Sequence, residues 1–155
     1  MNYITLPEIG HVGYLVKDVD LFAKGFAAYF NLEKFVIYDF IPQRAWSYGK
    51  EIFDCKFRIA LFTPDHGAKI ELVEYVSGSN TPHEKFIIEN GSGIHHIAYY
   101  VDNYEQCRDF FQSIDGGQII FEAVIEDRVL GKRSSFYAIA PGYPSIIEIS
   151  KKPKK

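Results

Sequence analysis

The chain has 155 residues, 47% hydrophobic and 24% charged, with a formal net charge of −3. That is enough for one well-buried core or two small fused modules. Without a basic stripe there is little support for nucleic-acid binding. Without an apolar run near ~18 residues or a basic-then-apolar start, no membrane span or signal peptide is expected.

In chain order, residues 9–16 read as a short buried strand. Asp18 is a plausible N-cap for a helix whose apolar face would carry Val19, Phe22, Phe26 and Tyr29, with Asn31 as a stop signal. Residues 34–40 alternate as a strand. Residues 41–49, with Pro42, Trp46 and Gly49, read as a loop in which Trp46 could lid a pocket or pack on the sheet. Strands follow at 57–62 and 68–75, separated by a turn.

A linker at 77–93 holds a short helix over 83–90, with Thr81 as cap and Pro82 at its first position. The pattern then repeats. A strand is predicted at 94–101. Asn103 caps a helix burying Tyr104, Cys107, Phe111 and Ile114. After the turn Asp115-Gly116-Gly117, strands are expected at 119–124, 135–139 and 145–150. Cys55 and Cys107 read as reduced thiols of a cytoplasmic protein, and the basic run 151–155 as a solvated terminus. The 13 Phe and 11 Tyr suit sheet faces and concave apolar pockets.

The repeat is audible in the residues themselves. Gly10-His11-Val12-Gly13-Tyr14-Leu15-Val16 is echoed by His95-His96-Ile97-Ala98-Tyr99-Tyr100-Val101. Each half closes on a carboxylate between aliphatics, Ile70-Glu71-Leu72 and Ile147-Glu148-Ile149. The histidines His11 and His96 are 85 residues apart and the glutamates 77, so about eight extra residues belong in the first half, around Trp46. Two copies of one βαβββ unit, packed about a pseudo-twofold axis, would bring His11, Glu71, His96 and Glu148 together in one cleft. A mixed N/O set suits a divalent Zn, Ni, Co, Mn or Fe ion, octahedral with water or substrate in the open positions.

With His at the start of the first strand and Glu in the last strand of each module, the chain resembles the vicinal oxygen chelate superfamily. That superfamily includes glyoxalase I, methylmalonyl-CoA epimerase, extradiol dioxygenases and fosfomycin or bleomycin resistance proteins. The resemblance implies an α+β fold: two tandem βαβββ modules (about 9–76 and 94–150) in a curved mixed sheet around a metal cleft, as one domain over 1–155. The segments Ser79-Asn80-Thr81-Pro82-His83-Glu84-Lys85-Phe86 and Gly91-Ser92-Gly93-Ile94-His95-His96-Ile97-Ala98 resemble the inter-module stretch of methylmalonyl-CoA epimerases. In that pattern the second histidine, His96, is the ligand, and strand alternation would point His95 to the other face.

The implied reaction removes a proton beside a carbonyl, with Glu148 and Glu71 as candidate bases and a metal-stabilised enolate. Its substrate would be a thioester, hemithioacetal or 2-oxo compound, and the protein a homodimer. An Fe(II) extradiol-type dioxygenase and an antibiotic-binding protein without chemistry are the alternatives. Glu71 departs from epimerases that carry Gln there. Some epimerases also use a further Glu on the middle strand of the first half, where this chain offers Arg58, with Glu51 the closest acid upstream. Arg58 would meet an anionic group or solvent; Lys132 and Arg133, in a loop after Gly131, would meet a phosphate or carboxylate or, by default, be exposed loop charges, and His66 and His83 read as exposed turn residues.

Overall fold

The computed structural model describes residues 3–32, 35–127 and 131–152. Lys34 of the expected second strand and residues 153–155 of the basic terminus lie outside them. The first half runs β1 (Glu8–Leu15), α1 (Val19–Tyr29), β2 (Val36–Phe40), β3 (Arg44–Ser47), β4 (Lys50–Ile52), β5 (Lys56–Phe62) and β6 (Lys69–Ser77). After the linker helix α2 (Pro82–Asn90), the second half runs β7 (Gly93–Val101), α3 (Tyr104–Ser113), β8 (Gln118–Asp127), β9 (Gly131–Ile139) and β10 (Ile146–Lys151).

All ten strands form one sheet in the order β2-β5-β6-β1-β7-β10-β9-β8-β3-β4. The two halves therefore contribute equivalent blocks, β2-β5-β6-β1 and β7-β10-β9-β8, joined by the antiparallel β1–β7 pair. The sheet is strongly curled. Phe57 on β5 and Phe121 on β8 lie far apart in strand order, yet their rings meet edge-on at 6.4 Å. This is the expected mixed α+β architecture.

Alternation of side chains across the pleat divides the apolar residues among three cores. Leu15, Phe57, Ile59, Val73, Phe121 and Tyr137 fill the concave side, drawing on both halves. On the outer face α1 covers Ala60, Phe62 and Leu72, and α3 covers Phe136, Ala138, Ile147 and Ile149. Helix α3 buries Tyr104, Cys107 and Phe111, as its spacing predicts.

Helix α1 differs from its predicted face. Asp18 does cap it, accepting a hydrogen bond from the Leu21 N–H at 2.9 Å. Its buried stripe, however, is Val19, Ala23 and Ala27, while Phe22 and Tyr29 are exposed. A stripe of small side chains lets the helix axis approach the sheet closely, and the bulky aromatics rotate outward as a consequence.

The region read as a loop is a hairpin. Tyr48 and Gly49 adopt φ of 49° and 80°, the paired positive values of a two-residue type I′ turn. Strand β3 pairs with β8, so the extra residues of the first half extend the far end of the second half's sheet. Ala45 and Ser47 face inward and are buried. Trp46 faces the α3 side, where it borders a surface hollow with Arg108 and Glu122, so it does not lid the concave side. No helix among the described residues is long and apolar enough to cross a membrane.

Candidate metal centre

The four sequence-predicted residues stand on four adjacent strands, β6, β1, β7 and β10. Gly13 lies in register with Glu71 on one side and His96 on the other. A Cβ on Gly13 would sit 2.1 Å from the His96 ring, so this position admits no side chain while the ring keeps its place. Gly10 gives way in the same manner to the Tyr100 ring, 2.4 Å from where its Cβ would be. Each half thus keeps its imidazole over a backbone or ring that something small makes room for.

The donors converge. His11 Nε2 lies 3.2 Å from His96 Nε2, 3.2 Å from Glu71 Oε2 and 3.1 Å from Glu148 Oε2. His96 Nε2 lies 3.3 Å and 3.1 Å from the same two carboxylate oxygens. All four side chains are buried. Neighbouring ligands in a coordination sphere of radius about 2.1 Å are spaced about 3 Å apart, so this set could hold one divalent ion.

Outer contacts orient the donors, as ligand histidines and carboxylates require. His11 Nδ1 is 3.2 Å from the Tyr100 hydroxyl, and His96 Nδ1 is 2.9 Å from His95 Nδ1. The Ser150 hydroxyl donates to Glu148 Oε1 at 2.6 Å.

The electrostatics follow from the crowding. Burial pushes the Glu71 and Glu148 carboxyls up, but His11 and His96 outweigh it and hold both below the ordinary range. Burial pushes the His11 and His96 imidazoles down, and the two carboxylates override it and raise both. Without an ion the cluster is therefore two acids paired with two bases. An ion would take the place of those protons, since histidine ligates only when neutral.

A cavity of about 30 Å3 adjoins the cluster; its lining includes Glu71, Glu148, His83, Arg133, Tyr137 and Phe121. Two of these were expected to be exposed. His83 is only 2% exposed. The Thr81 cap and Pro82 start α2 so that its first turn enters the concave side, where His83 packs on Phe57 at 4.4 Å and Phe121 at 4.9 Å. Burial, then His96, push its imidazole down to about 3. Arg133 is also buried, because β9 begins at Gly131 and what was read as loop is strand.

His95 overturns simple alternation. Gly13 pairs with His96, but Tyr14 pairs with Ile94, so His95 is the extra residue of a β-bulge. The bulge turns both imidazoles to the concave side, where both contact Tyr137. The sequence signal was the double histidine itself, but a bulge leaves no local mark in composition.

Other candidates lie elsewhere. Arg58 pairs with Asp20 at 2.7 Å and approaches Glu74 at 3.7 Å, tying α1 to the outer face. Glu51 pairs with Arg44 across the hairpin at 2.9 Å. Lys132 and His66 are exposed, as expected. Glu71 and Glu148 are the only acids in the described lining of the cavity.

These features fall within a known family. The chain belongs to the Glyoxalase/Bleomycin resistance protein/Dioxygenase superfamily, whose family model matches residues 10–115. That match takes in His11, Glu71 and His96; Glu148 lies beyond it. Methylmalonyl-CoA epimerase from Mycobacterium tuberculosis is similar over 99% of this chain and 94% of its own, at 19% identity and a TM-score of 0.62. A variant of Streptomyces coelicolor methylmalonyl-CoA epimerase, in complex with 2-nitronate-propionyl-CoA, covers 97% and 100% at 17% identity and a TM-score of 0.60. A hypothetical protein from Bacillus halodurans C-125 covers 97% and 98% at 19% identity and a TM-score of 0.61. At such identities the likeness is one of fold. No curated protein matches the chain.

Proposed function

We propose that the chain is a metal-dependent enzyme that moves a proton on a carbon next to a carbonyl, an isomerase or lyase of the epimerase or glyoxalase I kind. The observation that carries this reading is the convergence of His11, Glu71, His96 and Glu148, with contacts of 3.1–3.3 Å between each imidazole and each carboxylate, beside a small cavity that Glu71 and Glu148 line together with aromatic and aliphatic residues. His11, Glu71, His96 and Glu148 would hold a divalent ion, one of Zn, Ni, Co, Mn or Fe. Bound there, the ion supplies Lewis acidity to the carbonyl oxygen and so stabilises an enolate.

The chain's own residues do the rest. Glu71 and Glu148 are the proton carriers, because they are the carboxylates that meet the cavity. Glu148 is tied at both oxygens, by the histidines at Oε2 and by Ser150 at Oε1, whereas the contacts of Glu71 run through Oε2. The aromatic lining, Phe40, Phe57 and Phe121, excludes water from the reacting carbon. The reading includes a homodimer, supported by the apolar residues that α1 leaves exposed. Four protein donors leave fewer positions open than an extradiol dioxygenase needs, and a passive antibiotic binder has no use for two buried carboxylates.

The test is solvent exchange. Metal-loaded protein in deuterium oxide should place deuterium at the α-carbon of methylmalonyl-CoA, or convert a hemithioacetal instead. Glu148→Gln and Glu71→Gln should each keep the metal, and loss of exchange by ~100-fold or more marks the base. Exchange at the wild-type rate in both variants would sink the reading.

A further inference from the structure

His11 and His96 stand at matching places, and a β-bulge precedes each of them. Gly10 is the extra residue before His11, and His95 the extra residue before His96. In the first half the Tyr100 ring takes the space that a side chain on Gly10 would fill, and its hydroxyl lies 3.2 Å from His11 Nδ1. In the second half the bulged residue supplies the polar group itself: His95 Nδ1 lies 2.9 Å from His96 Nδ1. The two rings meet edge-on, their planes 87° apart and their centroids 5.2 Å apart. His95 is buried among Phe86, His83 and Tyr137, at ring distances of 5.0, 5.2 and 5.6 Å. Its other nitrogen, Nε2, has no hydrogen-bond partner among the described residues. Burying an imidazole is costly unless its nitrogens are paired, and the contact with His96 is what offsets that cost here.

We propose that His95 is the positioning residue of His96: its Nδ1 accepts the hydrogen on His96 Nδ1 and so commits His96 Nε2 to the ion. The proposal rests on the metal-dependent reading above. The hydrogen inventory carries it. A ligand histidine is neutral and gives one nitrogen to the ion. His96 Nε2 is the nitrogen turned to His11, Glu71 and Glu148, so its Nδ1 holds the hydrogen. Two imidazole nitrogens 2.9 Å apart share one hydrogen, because two N–H groups would face each other as donors. His95 Nδ1 is therefore bare, and the hydrogen of neutral His95 stands on Nε2. Strict alternation would carry His95 to the outer face and leave His96 Nδ1 without this acceptor, so the bulge is what makes the pair. The acceptor behind a ligand histidine is commonly a carboxylate or a carbonyl. A neutral imidazole accepts the same hydrogen without adding a third buried negative charge beside Glu71 and Glu148.

The probe is Zn2+, titrated into metal-free full-length protein in competition with a chelating dye. His95→Phe keeps a ring in place and removes the acceptor; it should weaken zinc by ~10-fold or more, the usual scale for losing an outer partner of a ligand histidine. His95→Asn loses the ring but sets Oδ1 where Nδ1 stood, and it should bind zinc more tightly than His95→Phe. A merely structural role would give the reverse order, since Phe packs better than Asn among aromatic rings. His95→Phe at wild-type affinity, or at least as tight as His95→Asn, overturns the proposal. Should His95→Phe fail to fold, the wild-type protein decides. With histidine ring nitrogens labelled with nitrogen-15, NMR of the zinc-loaded protein should show His95 with its hydrogen on Nε2 and a bare Nδ1. A hydrogen on His95 Nδ1 overturns the proposal. The metal reading fails separately: the wild-type chain would then take up no stoichiometric zinc, and the proposal would fall with it.

Discussion

The two halves of the molecule agree where the metal donors stand and differ almost everywhere else. Each supplies one histidine from its first strand and one glutamate from its last, and the four strands lie side by side in the sheet. Outside that centre the symmetry fails. Helix α3 buries aromatics where α1 buries alanines. The first half spends a hairpin on closing the second half's open edge; the bulge before each ligand histidine carries Gly10 in the first half and His95 in the second, and the second half adds the buried Arg133. The difference teaches that the repeat serves the cluster, while the surroundings that shape a substrate site vary freely between copies.

The comparison breaks first at the donors. If they are equivalent, His11→Ala and His96→Ala should lower metal affinity by similar factors, ~100-fold or more, measured by competition with a chelating dye. A large loss in one and none in the other would show the symmetry to be only geometric. Gly13→Ala comes next. Its new methyl would occupy the space of the His96 ring, so metal affinity should fall although no donor is removed. Unchanged affinity would mean the ring has room to shift.

The helices sharpen the comparison further. Phe111→Ala in α3 should cost ~3–5 kcal/mol of stability, as large buried truncations do. Phe22→Ala in α1, at a position 41% exposed, should cost less, ~1 kcal/mol. Urea denaturation of both variants checks the pair, and equal losses would contradict the assigned faces.

The last effect concerns pH. Burial holds His83 down to about 3 in the folded chain, against about 6.5 for an ordinary histidine. Between those values the unfolded chain takes up a proton that folded His83 refuses, so stability falls as pH drops through 6.5 toward 3. In metal-free protein, His83→Phe should flatten the decline in urea midpoint between pH 7 and pH 4. An equally steep decline would show that His83 is not held neutral.

Much of the centre was legible because a repeated sentence puts matched chemistry at matched ends. His11 with His96 and Glu71 with Glu148 needed only the repeat and its strands. The surroundings were harder, for physical reasons that differ by residue. His83 looked exposed because it sits at a Pro-initiated turn, and only the path of α2 over the concave side buries it. Arg133 looked like a loop charge beside Gly131, though it belongs to a strand pairing through Ile125. The face of α1 was not legible beyond Val19, because apolar size points to Phe22 and Tyr29 whereas close packing on the sheet favours Ala23 and Ala27. The hairpin at Tyr48-Gly49 was hidden because its positive-φ turn carries tyrosine where Asn or Asp is the usual cue.

The central claim is that His11, Glu71, His96 and Glu148 together bind one divalent ion. Titration of the metal-free protein with Co2+, followed by the ligand-field absorption of the ion in the visible, tests it most directly. The account predicts one Co2+ per chain, with the band lost in His96→Ala and altered in Glu148→Gln, since a carboxamide oxygen replaces a carboxylate. A band of the same intensity and position in His96→Ala, or no stoichiometric binding by the wild-type chain, would contradict it.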